Sequence, residues 1–158
     1  VLFLEHKSLL NVRGDVPEED FSIPFGQARV CREGTDVTIV GVGPLVPKSL
    51  AAAEMLASEG VSVEVIDPRT LAPLDMETIL ASVGKTGKLL VADESFGPCG
   101  IGAEIAAQVM DQGFDDLAAP VRRLNGVHTP TPYSPPLEAA VVPAVDQVAA
   151  AVRELAAE

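Results

Sequence analysis

Short apolar runs alternate with longer amphipathic stretches along this chain, which predicts strands separated by helices. β-branched and apolar runs predict five strands, at residues 27–31, 36–42, 61–66, 88–92 and 121–124. Apolar residues at helical spacing predict helices at residues 44–59, 75–83, 101–110 and 144–155. Because each strand is a nearly continuous apolar run, both faces of the sheet should be covered. The pattern therefore predicts a three-layer αβα sandwich built on a mostly parallel, five-stranded sheet.

The start of the chain follows a different pattern. Val1–Leu4 is a short apolar run, predicted to be a strand that ends a preceding domain. Residues 5–24 place prolines, glycine and asparagine among charges, which is typical of an extended linker. Since the first residue is not Met, we expect a piece of a longer protein, with residues 1–26 closing one domain and residues 27–158 forming the next.

Charge and composition exclude several functions. The 158 residues carry a net charge of -12, which would repel a phosphate backbone, so we expect no nucleic-acid partner. No apolar run approaches the roughly 20 residues of a membrane span. The acidic surface suits either solubility or a basic protein partner, and the sequence leaves both open. Cys31 and Cys99 are far apart, without CxxC spacing, which favours a reduced, cytoplasmic protein.

A dinucleotide-binding unit is the first candidate for chemistry. Gly41–Gly43 ends a predicted strand, a helix follows, and Asp67 closes the next strand at the distance expected of a ribose-binding acid. Val46 stands where the third glycine belongs, and Pro44 and Pro47 remove amides that a phosphate would need. The details argue against nucleotide binding, although the outline keeps it as an alternative.

The glycine-rich loop 96–102 is the second candidate. It follows a predicted strand and opens a helix, so its amides could hold an anion, but Asp93 and Glu94 immediately precede it. We therefore interpret Gly97, Gly100 and Gly102 as packing or partner-interface residues.

No catalytic, cofactor-binding or metal-binding set emerges from the remaining residues. His6 and His128 are the two histidines, and no cluster of ligands accompanies either one. Asp75 is predicted to cap a helix, and Cys99 has no base near it in sequence. The residue pattern alone therefore predicts an α/β domain without a recognisable catalytic, cofactor-binding or metal-binding site.

Several segments in order and spacing nevertheless resemble one family, over the whole chain. They are FLEHK (3–7), GDVPEEDFSIP (14–24), REGTDVTIV (32–40), VEVIDPRTLAPLD (63–75), VGKTG (83–87), GAEI (102–105) and HTPTPYSPPLE (128–138). The chain resembles the carboxy-terminal half of the beta subunit of the thiamine-diphosphate-dependent component of 2-oxo acid dehydrogenase complexes. The resemblance implies a transketolase C-terminal fold with one antiparallel edge strand.

The resemblance also implies where the chemistry lies. In the family, the glutamate that binds thiamine diphosphate and an active-site histidine belong to the amino-terminal half, which is absent here. The intact enzyme would hold thiamine diphosphate and Mg outside these residues, decarboxylate a 2-oxo acid oxidatively and pass the acyl group to a lipoyl disulfide. This piece alone should be inactive. Its substrate stays open among pyruvate, branched-chain and acetoin types, although His128 is similar to acetoin-type sequences.

The resemblance finally implies partners. They are an alpha subunit and a second beta subunit, forming a heterotetramer, and the peripheral subunit-binding domain of the dihydrolipoyl acyltransferase core. Because that last domain is typically basic, acids near the chain's end are candidates for its docking patch: Asp115, Asp116, Asp146, Glu154 and Glu158. Arg122 and Arg123 would weaken the patch if they faced the same way. A stand-alone interaction module remains an alternative to this assembly role.

Overall fold

The computed structural model describes residues 5–158, so the strand predicted at Val1–Leu4 lies outside the described residues. Five strands form one sheet in the order β1-β3-β2-β4-β5. They are β1 (Arg29–Arg32), β2 (Val37–Gly41), β3 (Val63–Asp67), β4 (Leu89–Phe96) and β5 (Arg122–Gly126). β2 to β5 run parallel, and β1 pairs antiparallel with β3 at one side of the sheet. The predicted fold class is confirmed.

Helices cover both faces of the sheet. They are α1 (Leu45–Ala57), α2 (Met76–Thr86), α3 (Ile101–Gln112), α4 (Pro135–Val141) and α5 (Val145–Ala156). Ile39 packs in the core beneath α1 and α5, whereas the next residue, Val40, packs in the core beneath α2 and α3. Successive strand residues point to opposite faces, so two buried faces require the continuous apolar runs seen in the sequence.

The helices α1 and α5 run side by side in the same direction. At their starts the Lys48 ammonium donates to the carbonyl of Pro143 at 2.6 Å, and at their ends Arg153 forms a bidentate pair with Glu59. Since α1 follows β2, both helices begin where the parallel strands end, here called the carboxyl end of the sheet. Both finish at the opposite side, the amino end.

Two element boundaries differ from the sequence prediction by more than two residues, and one helix was not predicted. β4 continues past Ala92 to Phe96 through a register irregularity opposite β5, which the polar residues 93–95 had concealed. α2 runs to Thr86 and stops at Gly87, whose φ of 69° is left-handed. The helix α4 was missed because its opening prolines resemble a breaker, although proline is favoured at the first helical positions.

Candidate partner-binding surface

The glycine-rich loop joins the carboxyl end of β4 to α3. An added Cβ at Gly100 would overlap the carbonyl oxygen of Phe96, and one at buried Gly102 would stand 3.4 Å from Val91. Arg123 donates to the carbonyl oxygen of Gly97 at 3.2 Å. The overlap gives Gly100 a packing role within the chain, whereas a Cβ at Gly102 would meet Val91 only at an ordinary contact distance. The role of these glycines at an interface stays a prediction.

The start of α1 offers little to a phosphate. The amides of Leu45 and Val46 already donate to the carbonyl oxygens of residues 42 and 43, each at 3.1 Å, and Pro44 has no amide hydrogen. A Cβ at Gly41 would lie 3.1 Å from the backbone of Leu45, so this glycine permits close packing of strand and helix. Asp67 accepts from the backbone amide of Arg69 at 2.9 Å. The strand–helix–strand outline is present, but its amides are engaged.

The two histidines serve local contacts. His6 Nε2 lies 2.7 Å from Glu94 Oε1, which ties the linker to the carboxyl end of β4. The ring of His128 packs against that of Phe96, with centroids 5.0 Å apart. In residues 5–158 no group of three or more potential metal ligands comes together.

The acids predicted as a docking patch divide between the two ends of the sheet. Asp115 and Asp116 lie in a 3₁₀ turn, Phe114–Asp116, that follows α3. The Ala118 amide donates to the carbonyl of Gly87 at 2.7 Å, which places this turn beside the start of β4. Both acids therefore lie at the amino end.

The last turn of α5 reaches the same end. The Lys88 ammonium donates to the carbonyl of Ala156 at 2.9 Å, so Glu154 and Glu158 also lie near the start of β4. Arg122 forms an ion pair with Glu158, so this one of the two arginines faces the patch and neutralises one member, whereas Arg123 donates to the carbonyl oxygen of Gly97. Asp146, in the first turn of α5, lies at the carboxyl end, away from the other four.

An apolar groove adjoins these acids, and the sequence did not predict it. Its volume is about 590 Å³, and it runs between the outer face of α3 and the segment that leads into β5. Met110 and Phe114 stand in it at 46% and 61% exposure. The other lining residues are Ala106, Ala107, Leu117, Ala118, Ala119, Pro120 and Val121. An apolar centre with an acidic rim is the anatomy of a protein interface.

A spacing of four residues could have revealed the groove. Ala106, Met110 and Phe114 recur at i, i+4 and i+8, off the buried stripe of Ile105 and Val109. If only the buried stripe of α3 is considered, its sequence predicts a helix that does no more than cover the sheet.

A buried carboxylate lies on the face of the sheet that α2 covers. Glu64 of β3 is 2% exposed and accepts hydrogen bonds from the Gly34 amide and the Lys85 ammonium. Burial alone would raise the pKa of Glu64, but the hydrogen bonds from Lys85 and Gly34 outweigh it and hold the pKa below its usual value. Both hydrogen bonds reach Oε2 of Glu64 and tie β3 to α2 and to the Gly34 turn, which indicates a structural role.

The fold defines a class of protein: a three-layer α/β domain, here with an apolar groove beside a group of acids at the amino end of its sheet. The chain belongs to the transketolase C-terminal domain family, whose model, described as "Transketolase, C-terminal domain", matches residues 26–148.

Individual relatives agree with that assignment. The chain is 47% identical to the acetoin:2,6-dichlorophenolindophenol oxidoreductase subunit beta of Cupriavidus necator, over 98% of this chain and 46% of the relative. It is 45% identical to the mitochondrial pyruvate dehydrogenase E1 component subunit beta of Dictyostelium discoideum, over 97% of this chain and 44% of that protein. The chain thus spans just under half the length of these relatives.

A solved structure supports the same fold. The chain superimposes on a split-gene transketolase, described as an inactive beta4 tetramer, with a TM-score of 0.77 and 28% identity. The match covers 91% of this chain and 46% of that one. Across residues 5–158, no helix combines the length and apolarity needed to cross a membrane.

Proposed function

We propose that this chain is the carboxy-terminal assembly and partner-docking domain of the beta subunit of a 2-oxo acid dehydrogenase. The observation that carries the proposal is the apolar groove of Met110 and Phe114, which sits beside Asp115 and Asp116 at the amino end of the sheet. Similarity to beta subunits of acetoin- and pyruvate-type enzymes supplies the context. Because relatives of both types are this similar, the substrate itself stays open.

The intact enzyme would oxidatively decarboxylate its 2-oxo acid and transfer the acyl group to the lipoyl disulfide of the acyltransferase core. We propose that the thiamine diphosphate and Mg that such an enzyme requires bind outside these residues, and we expect the isolated domain to be inactive. The engaged amides at the start of α1 support that placement, because they are not available to a phosphate.

The partners we propose are an alpha subunit, a second beta subunit and the peripheral subunit-binding domain of the acyltransferase core. The groove and the acids at the amino end suit the last of these, because a basic partner with an apolar anchor complements them. Two free thiols, Cys31 and Cys99, are compatible with a cytoplasmic setting.

Charge reversal at opposite ends of the sheet tests this docking surface. The double substitution Asp115→Lys with Glu154→Lys changes two exposed acids at the amino end, and Asp146→Lys changes an exposed acid at the carboxyl end. Titration of the acyltransferase's subunit-binding domain into the beta subunit, by calorimetry at low and moderate salt, should show about tenfold weaker binding for the double variant. Its salt dependence should also be smaller.

The control is Asp146→Lys, which should bind like the unchanged protein. Equal affinity and equal salt dependence for all three proteins would reject the docking surface. Tight binding of thiamine diphosphate by the isolated domain would separately reject the placement of the coenzyme.

A further inference from the structure

We infer that residues 13–25, here called the arm, bind an apolar, basic-rimmed pocket on another subunit of the same enzyme. The inference rests on the proposed function, and it concerns a surface at the opposite end of the sheet from the groove. The arm carries four large apolar side chains, Val16, Phe21, Ile23 and Phe25, that are between 51% and 84% exposed. So many apolar side chains in water within one short segment mark an interaction site.

The backbone of the arm is equally free to bind. Within the described part of the chain, no hydrogen bond joins residues 13–25 to any other residue, and none of them belongs to a helix or strand. Phe21, Ile23 and Phe25 alternate with Ser22 and Pro24. In an extended chain such residues point to one side, roughly 6.6 Å apart, as in peptides that add a strand to a neighbouring protein.

Both ends of the arm are fixed to the domain. Before it, His6 contacts Glu94 at 2.7 Å at the carboxyl end of β4. After it, the Gly26 amide donates to Thr70 Oγ1 and the Ala28 amide donates to Asp75 Oδ2, each at 2.8 Å. The arm is therefore held across the carboxyl end of the sheet, which reduces the entropy that a partner must overcome on binding.

Charge identifies the kind of partner. The arm contains four carboxylates, Asp15, Glu18, Glu19 and Asp20, and one guanidinium, Arg13. A second copy of this chain, with a net charge of -12, would meet the arm with like charge. A chain with a basic rim around its apolar pockets complements the arm, so we assign the pocket to the alpha subunit.

Two aromatic residues of equal exposure provide a matched pair of variants. Phe21 in the arm and Phe114 in the groove are each 61% exposed. In the full-length beta subunit, Phe21→Ser should weaken association with the alpha subunit by about tenfold or more, as loss of a buried aromatic anchor does. Phe114→Ser should leave this association unchanged. Light-scattering dilution of the co-purified enzyme measures both affinities.

Hydrogen exchange gives a second readout that does not depend on how well a variant folds. Amides of residues 13–25 should exchange freely in the unaltered beta subunit alone and become protected when the alpha subunit is added. Protection already present in the beta subunit alone would show that its own chain covers the arm, and the inference would be wrong.

Equal effects of Phe21→Ser and Phe114→Ser, or no protection in the complex, would also overturn the inference while leaving the proposed function intact. If the unaltered beta subunit bound no alpha subunit at all, the proposed function itself would fail.

Discussion

Glu64 illustrates how a single charged residue is tolerated inside a sheet. Its neighbours in β3 are apolar, and an isolated buried carboxylate would be strongly unfavourable. The ammonium of Lys85, which lies in the following helix α2, and the Gly34 amide supply the compensating hydrogen bonds. Nearby, the Thr38 hydroxyl bonds those of Ser82 and Thr86 at 2.6 and 2.7 Å, which joins β2 to α2 by polar contacts as well as packing.

Removing the lysine should expose this dependence. Lys85→Met leaves the Glu64 carboxylate buried without its cation, and we expect a loss of about 2 kcal/mol in unfolding free energy. The loss stays below that of a fully buried pair because the Lys85 side chain is 40% exposed. Urea denaturation monitored by circular dichroism measures the change.

Arg153→Met is the control for that experiment, because it breaks the surface pair with Glu59, in which both side chains are more than 40% exposed. Its effect should be much smaller, since water can solvate the carboxylate left behind. A comparable loss in the two variants would mean that burial does not distinguish the two ion pairs.

At the scale of elements, Asp75 fixes the start of α2 and the start of β1 together. Its carboxylate accepts from the Thr78 amide at 3.0 Å and from the Ala28 amide at 2.8 Å. Burial alone would raise the pKa of Asp75, but these two hydrogen bonds lower it below the usual value. A lowered pKa means that the folded protein gains stability from the ionised form.

Asp75→Ala should therefore destabilise the protein by about 1–2 kcal/mol at neutral pH, the usual cost of losing a helix cap. The contribution of Asp75 is present above its unfolded pKa of about 3.9 and is lost as the pH falls through the lower folded value. The difference between the two proteins should thus shrink in strong acid. Urea titrations at pH 7 and pH 3 measure it.

Exposed Glu77, in the same first turn of α2, supplies the control for the cap. Glu77→Ala should have a small effect at both pH values, because its side chain is not the one that accepts the Thr78 amide. A cost for Asp75→Ala that did not change with pH would contradict the assigned role of the carboxylate.

The elements themselves were largely predictable, because burial on both faces of the sheet requires nearly continuous apolar residues in β2, β3 and the first part of β4. The Asp75 cap was predicted from residue type and position, and the structure confirms it. The pairing of Glu64 with Lys85 was not predicted, since the two are 21 residues apart and only the crossover from β3 to α2 brings them together. The groove escaped prediction for a related reason, because six of its nine lining residues follow α3 in the chain.

At the scale of the whole molecule, acids far apart in sequence gather because of chain direction. Strands β4 and β5 start, and helices α3 and α5 end, at the amino end of the sheet, which collects Asp115, Asp116, Glu154 and Glu158 there. The separation of Asp146 from them could not be foreseen without knowing that α5 runs opposite to the parallel strands.

Segments of the chain should also differ from one another in their resistance to proteolysis. Trypsin should cut the isolated chain first after Arg13, because residues 13–25 make no hydrogen bonds within the described part of the chain. Arg69 is exposed too, but the backbone around it is held by the Arg69 and Thr70 amides. Mass spectrometry of a brief digest would show which bond breaks first, and initial cleavage at Arg69 would contradict the expectation.

The length of the parallel strands also sets the distance between the two ends of the sheet, where the arm and the groove lie. Each of the central strands β2 and β3 has five residues, which at about 3.3 Å each puts roughly 16 Å between the two ends of the sheet. The arm and the groove share no residues, so two proteins that bound at these places would not compete for the same atoms. Such a domain would act as a spacer, able to keep one neighbour permanently attached while another arrives and leaves.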